Sequence, residues 1–190
     1  MRPFVLALAL SWPMLAGAEA VSPYAGMEGR EIKALSKSDV EELRRGGGWG
    51  LALAAELNGA PGPAHLLELK EQIGLSAEQI AAIEVIFAAM KDEAVPAGER
   101  LIEAEATIEA AFRAGGVAEA DLRALIGAAE TARAELRFIH LKRHLETPPL
   151  LSPEQIARYN ELRGYGAPDP CAVVPEGHDP AMWKKHNGCE

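Results

Sequence analysis

Large rings and alternating patterns are both scarce in this sequence. Phe, Trp and Tyr make up 5% of the 190 residues, so the core has to be packed from Ala, Leu and Ile. No segment alternates apolar and polar residues with the period of two that a half-buried strand needs, which excludes sheet and predicts an all-α fold. The chain has two cysteines, Cys171 and Cys189, both within its last twenty residues, so no disulfide framework runs through the body. No segment approaches the roughly 20 apolar residues of a membrane-spanning helix. Catalytic signatures are missing as well: there is no nucleophile elbow, no Gly-rich phosphate loop at a strand–helix junction and no His-Glu-x-x-His. An enzyme is not expected. Basic residues are outnumbered, 19 Lys and Arg against 28 Asp and Glu, for a net charge of −9. That balance argues against nucleic acid or anionic lipid as a partner and favours cations or basic clients.

What the sequence does contain is one six-residue pattern written twice, Leu75-Ser76-Ala77-Glu78-Gln79-Ile80 and Leu151-Ser152-Pro153-Glu154-Gln155-Ile156. Each copy is a capping box. The serine hydroxyl accepts from the N–H three residues on, and the glutamine reaches back to the serine N–H, so two orphan donors of a helix start are satisfied together. The Leu before the serine and the Ile after the glutamine are spaced as a hydrophobic staple, and Pro153 sits where its missing N–H is harmless.

Residues 1–20 have the layout of a secretory signal peptide: Arg2, an apolar run from Phe4, and an Ala18-x-Ala20 ending. Removing them leaves the charge at −9, because Arg2 and Glu19 leave together. Export to the periplasm is the expected destination, secretion beyond the cell being the alternative. In an oxidising compartment an isolated, even pair of cysteines predicts a Cys171–Cys189 disulfide closing the tail, a thiolate metal site being the alternative.

Between these ends the sequence predicts helices. Ser38-Asp39-Val40-Glu41 opens a short one that Gly46-Gly47-Gly48 ends, and residues 49–57 form another short piece before the corner Pro61-Gly62-Pro63. A helix over 64–73 stops at Gly74. The first repeat then opens a helix with Ile80, Ile83, Phe87 and Met90 on one face, which Pro96 kinks or breaks before a continuation over 97–114. The longest predicted helix, 118–146, carries the seam Leu122, Leu125, Ala129, Ala132, Leu136 and Ile139. Pro148 and Pro149 stop it, and the second repeat opens the last helix. The expected organisation is a signal peptide at 1–20, an extended segment with short helices at 21–60, a helical domain of about four main helices at 61–165 and a Pro-rich tail at 166–190.

The twin Leu-Ser-x-x-Gln motifs, Leu75, Ser76 and Gln79 with Leu151, Ser152 and Gln155, resemble those of the LTxxQ proteins of the bacterial envelope, the Spy/CpxP group and the related CnrX/ZraP-type metal-responsive proteins. The resemblance runs over residues 38–165. It implies a bent helical hairpin that pairs as a homodimer into a cradle. It also implies a stress-response role: binding a metal ion, holding unfolded clients, or inhibiting a membrane sensor kinase.

Four of the five histidines fall in two local pairs. His140 and His144, four apart on the long helix, share a face at the edge of the apolar seam, where they suit a solvent-accessible ligand pair for zinc, nickel or copper. Equally, two histidines near a helix C-terminus can serve its dipole and cover the seam. In the tail, His178, Met182 and His186 have the donor types for a borderline or soft ion, while Lys184 and Lys185 oppose a cation. The alternative there is a disulfide-closed flap with Met182 and Trp183 docked on the body. These pairs resemble the His-x-x-x-His and His-x-x-x-Met pairs of CnrX-type proteins, although their order along the chain departs from the family arrangement. His65, after the proline corner, reads as structural.

Overall fold

The computed structural model describes residues 22–165 with Pro180, Trp183, Lys184 and Cys189. The predicted signal peptide, Cys171 of the predicted disulfide, and His178, Met182 and His186 lie outside the described residues. Seven α-helices and no strand are found among the described residues: α1 (Lys37–Arg44), α2 (Leu53–Glu56), α3 (Pro63–Glu68), α4 (Lys70–Ile73), α5 (Ala77–Ala114), α6 (Glu119–Glu146) and α7 (Pro153–Leu162). None is long and apolar enough to cross a membrane.

Helices α5 and α6 form an antiparallel hairpin. Ion pairs fix its register, from Arg133 with Glu105 at 2.9 Å through Arg100 with Glu135 at 2.8 Å to Arg143 with Glu93 at 2.6 Å. The seam is made of small and aliphatic groups: Met90, Ala94, Ala97, Leu101 and Ile102 of α5 meet Ala132, Leu136 and Ile139 of α6. Ile32, Leu35 and Leu43 close it from the N-terminal side. Helix α1 comes close because residue 98 is glycine; a Cβ there would stand 2.5 Å from the Leu43 carbonyl oxygen. A second cluster, Leu66, Ile73, Ile83 and Tyr159, joins α3, α4, α5 and α7 at the base of the hairpin.

Three predicted boundaries are corrected. Helix α5 runs unbroken through Pro96 for 38 residues. Pro96 is exposed, and the carbonyl left without its N–H is that of Asp92 on the same wet side, while Ala94, Ala97 and Gly98 stay packed behind. Helix α1 starts at Ser36, not Ser38, with Asp39 completing its capping box. The earlier start places buried Leu35 and Val40 at the two staple positions, whereas a start at Ser38 would put Lys37 there. Residues 49–52 are not helical, because Trp49 and Gly50 take the left-handed conformation.

Both capping boxes of the repeat form as the sequence prescribes, and they also meet. Gln79 Oε1 accepts from the Ser76 N–H at 2.8 Å and from Gln155 Nε2 at 3.0 Å, while its own Nε2 donates to Gln155 Oε1 at 2.8 Å and to the Leu150 carbonyl at 2.7 Å. Gln155 repeats the pattern: Oε1 accepts from the Ser152 N–H at 3.0 Å, and Nε2 also donates to the Gly74 carbonyl at 3.2 Å. Each amide thus uses both protons and both lone pairs. Gly74 and Leu150 each lie two residues before their own N-cap serine, so the clasp has a local two-fold character.

Capping alone would accept Glu at the third helical position as readily as Gln. The clasp would not, since a carboxylate donates nothing and would face two oxygens. Gln79→Glu is therefore expected to destabilise the protein by about 1–3 kcal/mol although it preserves the cap, and urea unfolding monitored by circular dichroism measures this. Wild-type stability in that variant would mean that only the cap matters.

Candidate functional site

The N-terminal segment folds over the last turns of α6 and leaves a half-open cavity of about 270 Å³ between them. Glu42, Trp49, Glu56, His65, His140 and His144 are among its lining residues. The two α6 histidines predicted at a solvent-accessible rim are instead buried, with 3% and 8% of their surface exposed. The rim is wet only while α6 is taken as an isolated helix; residues 42–63 cover it.

His144 ties down the corner after α2. Its Nδ1 lies 2.6 Å from the Ala60 carbonyl, and Thr147 Oγ1 donates to the Pro61 carbonyl one turn along. The backbone comes so near that a Cβ on residue 62 would sit 2.5 Å from His144 Nε2, which requires Gly62. His140 has its ring against the Gly47 backbone, and its buried Nε2 has no hydrogen-bond partner. Burial lowers its basicity, as do the neighbouring His144 and Lys91, against opposing contributions from Gly47 and Glu42. A neutral imidazole with an unpaired nitrogen is a form suited to metal ligation.

Glu56 is the residue that sequence reasoning missed. It is 5% exposed, and Oε1 accepts from the Tyr159 hydroxyl, from the Tyr165 hydroxyl at 2.9 Å and from His65 Nδ1 at 3.2 Å, with Arg163 Nε at 3.4 Å. One oxygen thereby gathers α3, α7 and the residues after α7 onto α2. Oε2 has no hydrogen-bond partner and lies 3.8 Å from His144 Nδ1. Burial would raise this carboxyl, but the bonds from His65, Tyr159 and Tyr165 outweigh it and hold the group at about 2. Burial and the Glu56 carboxylate push the Tyr159 phenol up. A signal was present in the sequence: Glu56 is the only charged residue between Arg45 and His65.

Trp49 completes the wall. It is the only non-glycine residue with positive φ among the described residues, at 44°, a conformation that costs about 1–2 kcal/mol in an L-residue. Three contacts hold it: its N–H to Glu42 Oε1 at 2.9 Å, its indole N–H to Asp39 Oδ1 at 2.9 Å, and the Arg133 guanidinium 4.9 Å from the ring centre.

The cavity therefore offers two imidazoles and a carboxylate, with an unpartnered nitrogen on His140 and an unpartnered oxygen on Glu56. These two buried atoms are the unused hydrogen-bonding capacity of the lining residues. Among the described residues, however, no three His, Cys, Asp or Glu side chains stand close enough together to hold a metal ion.

The Glu56 network has a testable acid limit. Its folded value, about 2, lies below the ordinary 4.5, so its contribution is complete above pH 4.5 and is lost as pH falls toward 2. Thermal unfolding between these limits should show a falling Tm that Glu56→Gln, unable to ionise, shows less steeply. Glu56→Ala strips the buried donors of their acceptor and is expected to cost about 3–5 kcal/mol at neutral pH by urea unfolding.

The family model for the LTXXQ motif family protein matches residues 64–163, from the first turn of α3 to the end of α7, with both capping boxes inside. No curated protein and no solved structure matches the chain.

Proposed function

From the premise that the chain belongs to the LTXXQ motif family, we propose that it is a periplasmic, non-enzymatic envelope-stress protein that takes up a divalent transition metal ion in the cavity beneath its N-terminal segment. The observation that carries this reading is the pair of buried, unpartnered atoms, His140 Nε2 and Glu56 Oε2, on two residues that line one cavity. His140, His144 and Glu56 are the proposed ligands, a nitrogen and oxygen set suited to zinc, nickel or copper. Because these groups are too far apart to share an ion as they stand, uptake requires the side chains to close, with Glu56 exchanging part of its hydrogen bonding. His178, Met182 and His186 form a second proposed ligand cluster in the tail, which a Cys171–Cys189 disulfide would close.

A second reading rests on different residues. Phe138 and Leu145, two turns apart on one face of α6, are 65% and 75% exposed, and Val85 on α5 is 70% exposed. Such apolar groups on the hairpin suit an ATP-independent chaperone for unfolded clients, basic ones being favoured by the net charge, or an adaptor that docks on a membrane sensor. A homodimer would combine two such hairpins in one cradle.

Titration calorimetry with zinc, nickel and copper decides the metal reading. A Kd below about 10 µM, roughly −7 kcal/mol, weakened in a His140→Gln variant whose helix content is unchanged, is the expected result. No binding at that strength, or binding altered only by His178→Ala, Met182→Ala and His186→Ala together, would remove the cavity from the function.

A further inference from the structure

The Gly46-Gly47-Gly48-Trp49-Gly50 loop between α1 and α2 is unusual in how it is held. Its glycines at 46 and 50 have φ of 63° and 69°, and Trp49 shares that left-handed region. The loop backbone is tied to Glu42 twice, once to its backbone and once to its side chain: the Gly47 N–H donates to the Glu42 carbonyl at 2.8 Å, and the Trp49 N–H donates to Glu42 Oε1 at 2.9 Å. The fit is close, since a Cβ at residue 47 would stand 2.5 Å from Glu42 Cγ. Gly48, Trp49 and Gly50 line the cavity, and the Gly47 backbone faces the His140 ring.

We propose that loop 46–50 is a gate over the His140 cavity and that Glu42 is its latch, the carboxylate holding the left-handed Trp49 closed through that residue's backbone N–H. With the Glu42 bond gone, only the indole bond to Asp39 and the Arg133 contact oppose relaxation of the strained Trp49 backbone, and the glycines on both sides give it room to swing. The latch and the site share their wall: Glu42 lines the cavity and Gly47 touches His140. Opening at one is therefore felt at the other. The gate deepens the reading of this cavity as a binding site and depends on it for what is admitted, but the access it controls is measurable without any ion.

The experiment is the reaction of the full mature chain with diethyl pyrocarbonate, which acylates neutral imidazole. Modification of His140 and His144 is followed by peptide mass spectrometry, with His65, whose side chain is 37% exposed, as the internal reference. Glu42→Ala is expected to raise His140 modification about tenfold or more, as loss of a hydrogen bond to a charged acceptor would, with His65 unchanged. Glu42→Gln keeps an acceptor oxygen without the charge and should react at a rate between wild type and Glu42→Ala. If Glu42→Ala loses helix content, Gly47→Ala, which displaces Glu42 without removing it, takes its place with the same expected rise. A folded Glu42→Ala or Gly47→Ala protein reacting at the wild-type rate would overturn the gate, as would Glu42→Gln opening as far as Glu42→Ala. Calorimetry separates the two claims: ion binding with no latch effect removes the gate alone, and a latch effect with no ion binding removes the metal reading alone.

Discussion

The fold is tied together at its base by one reciprocal contact, the pair of side-chain amides Gln79 and Gln155. Each closes the N-terminus of its own helix and reaches the partner's oxygen and the carbonyl two residues before the partner helix's N-cap serine. The starts of α5 and α7, 76 residues apart in sequence, become a single hydrogen-bonded unit in which neither glutamine amide has a donor or acceptor left over. Helices of this kind derive most of their stability from packing, and the clasp fixes which packing is available. With α7 held beside the start of α5, Tyr159 faces Ile83 and Leu66 in the basal cluster.

From that anchor the rest follows outward. Tyr159 brings its hydroxyl to Glu56, and Glu56 draws His65, Tyr165 and Arg163 around itself. The α2–α3 corner is then pinned on α6 by His144 and Thr147. The cavity is a consequence of this covering. An N-terminal segment laid over a helix with two histidines leaves a pocket with polar side chains among its lining, and the unpaired atoms of His140 and Glu56 are those that the covering groups do not reach. A neutral core packed from Ala and Leu would need none of these contacts, and their presence at one end of the hairpin marks where specificity resides.

Much of this was legible in the sequence. Scarce aromatics and absent alternation gave helices, the two boxes gave the starts of α5 and α7, and the apolar spacing gave Leu136 and Ile139 in the seam. The errors share a cause. Pro96 and Ser38 were judged by local rules, while their outcome was set by tertiary packing: α5 stays whole because its buried side is occupied, and α1 starts two residues early because Leu35 is. The burial of His140 and His144 could not be read from α6, since it depends on a segment about 80 to 100 residues away in sequence folding over it. Nor does a capping box announce that its glutamine has spare hydrogen-bonding capacity for a second copy; only the choice of Gln over Glu in both copies hints at it. Glu56 was visible as an isolated charge, but its partners Tyr159 and Tyr165 were too distant in sequence to suggest the network.

The clasp can be observed directly in solution. The chain has three glutamines, Gln72, Gln79 and Gln155, and Gln72 is exposed, so nuclear magnetic resonance of glutamine-labelled protein carries its own reference. Two of the three side-chain amides should exchange their protons with water markedly more slowly than the third and show nuclear Overhauser contacts to each other. Three side-chain amides exchanging alike, with no contact between Gln79 and Gln155, would contradict the account.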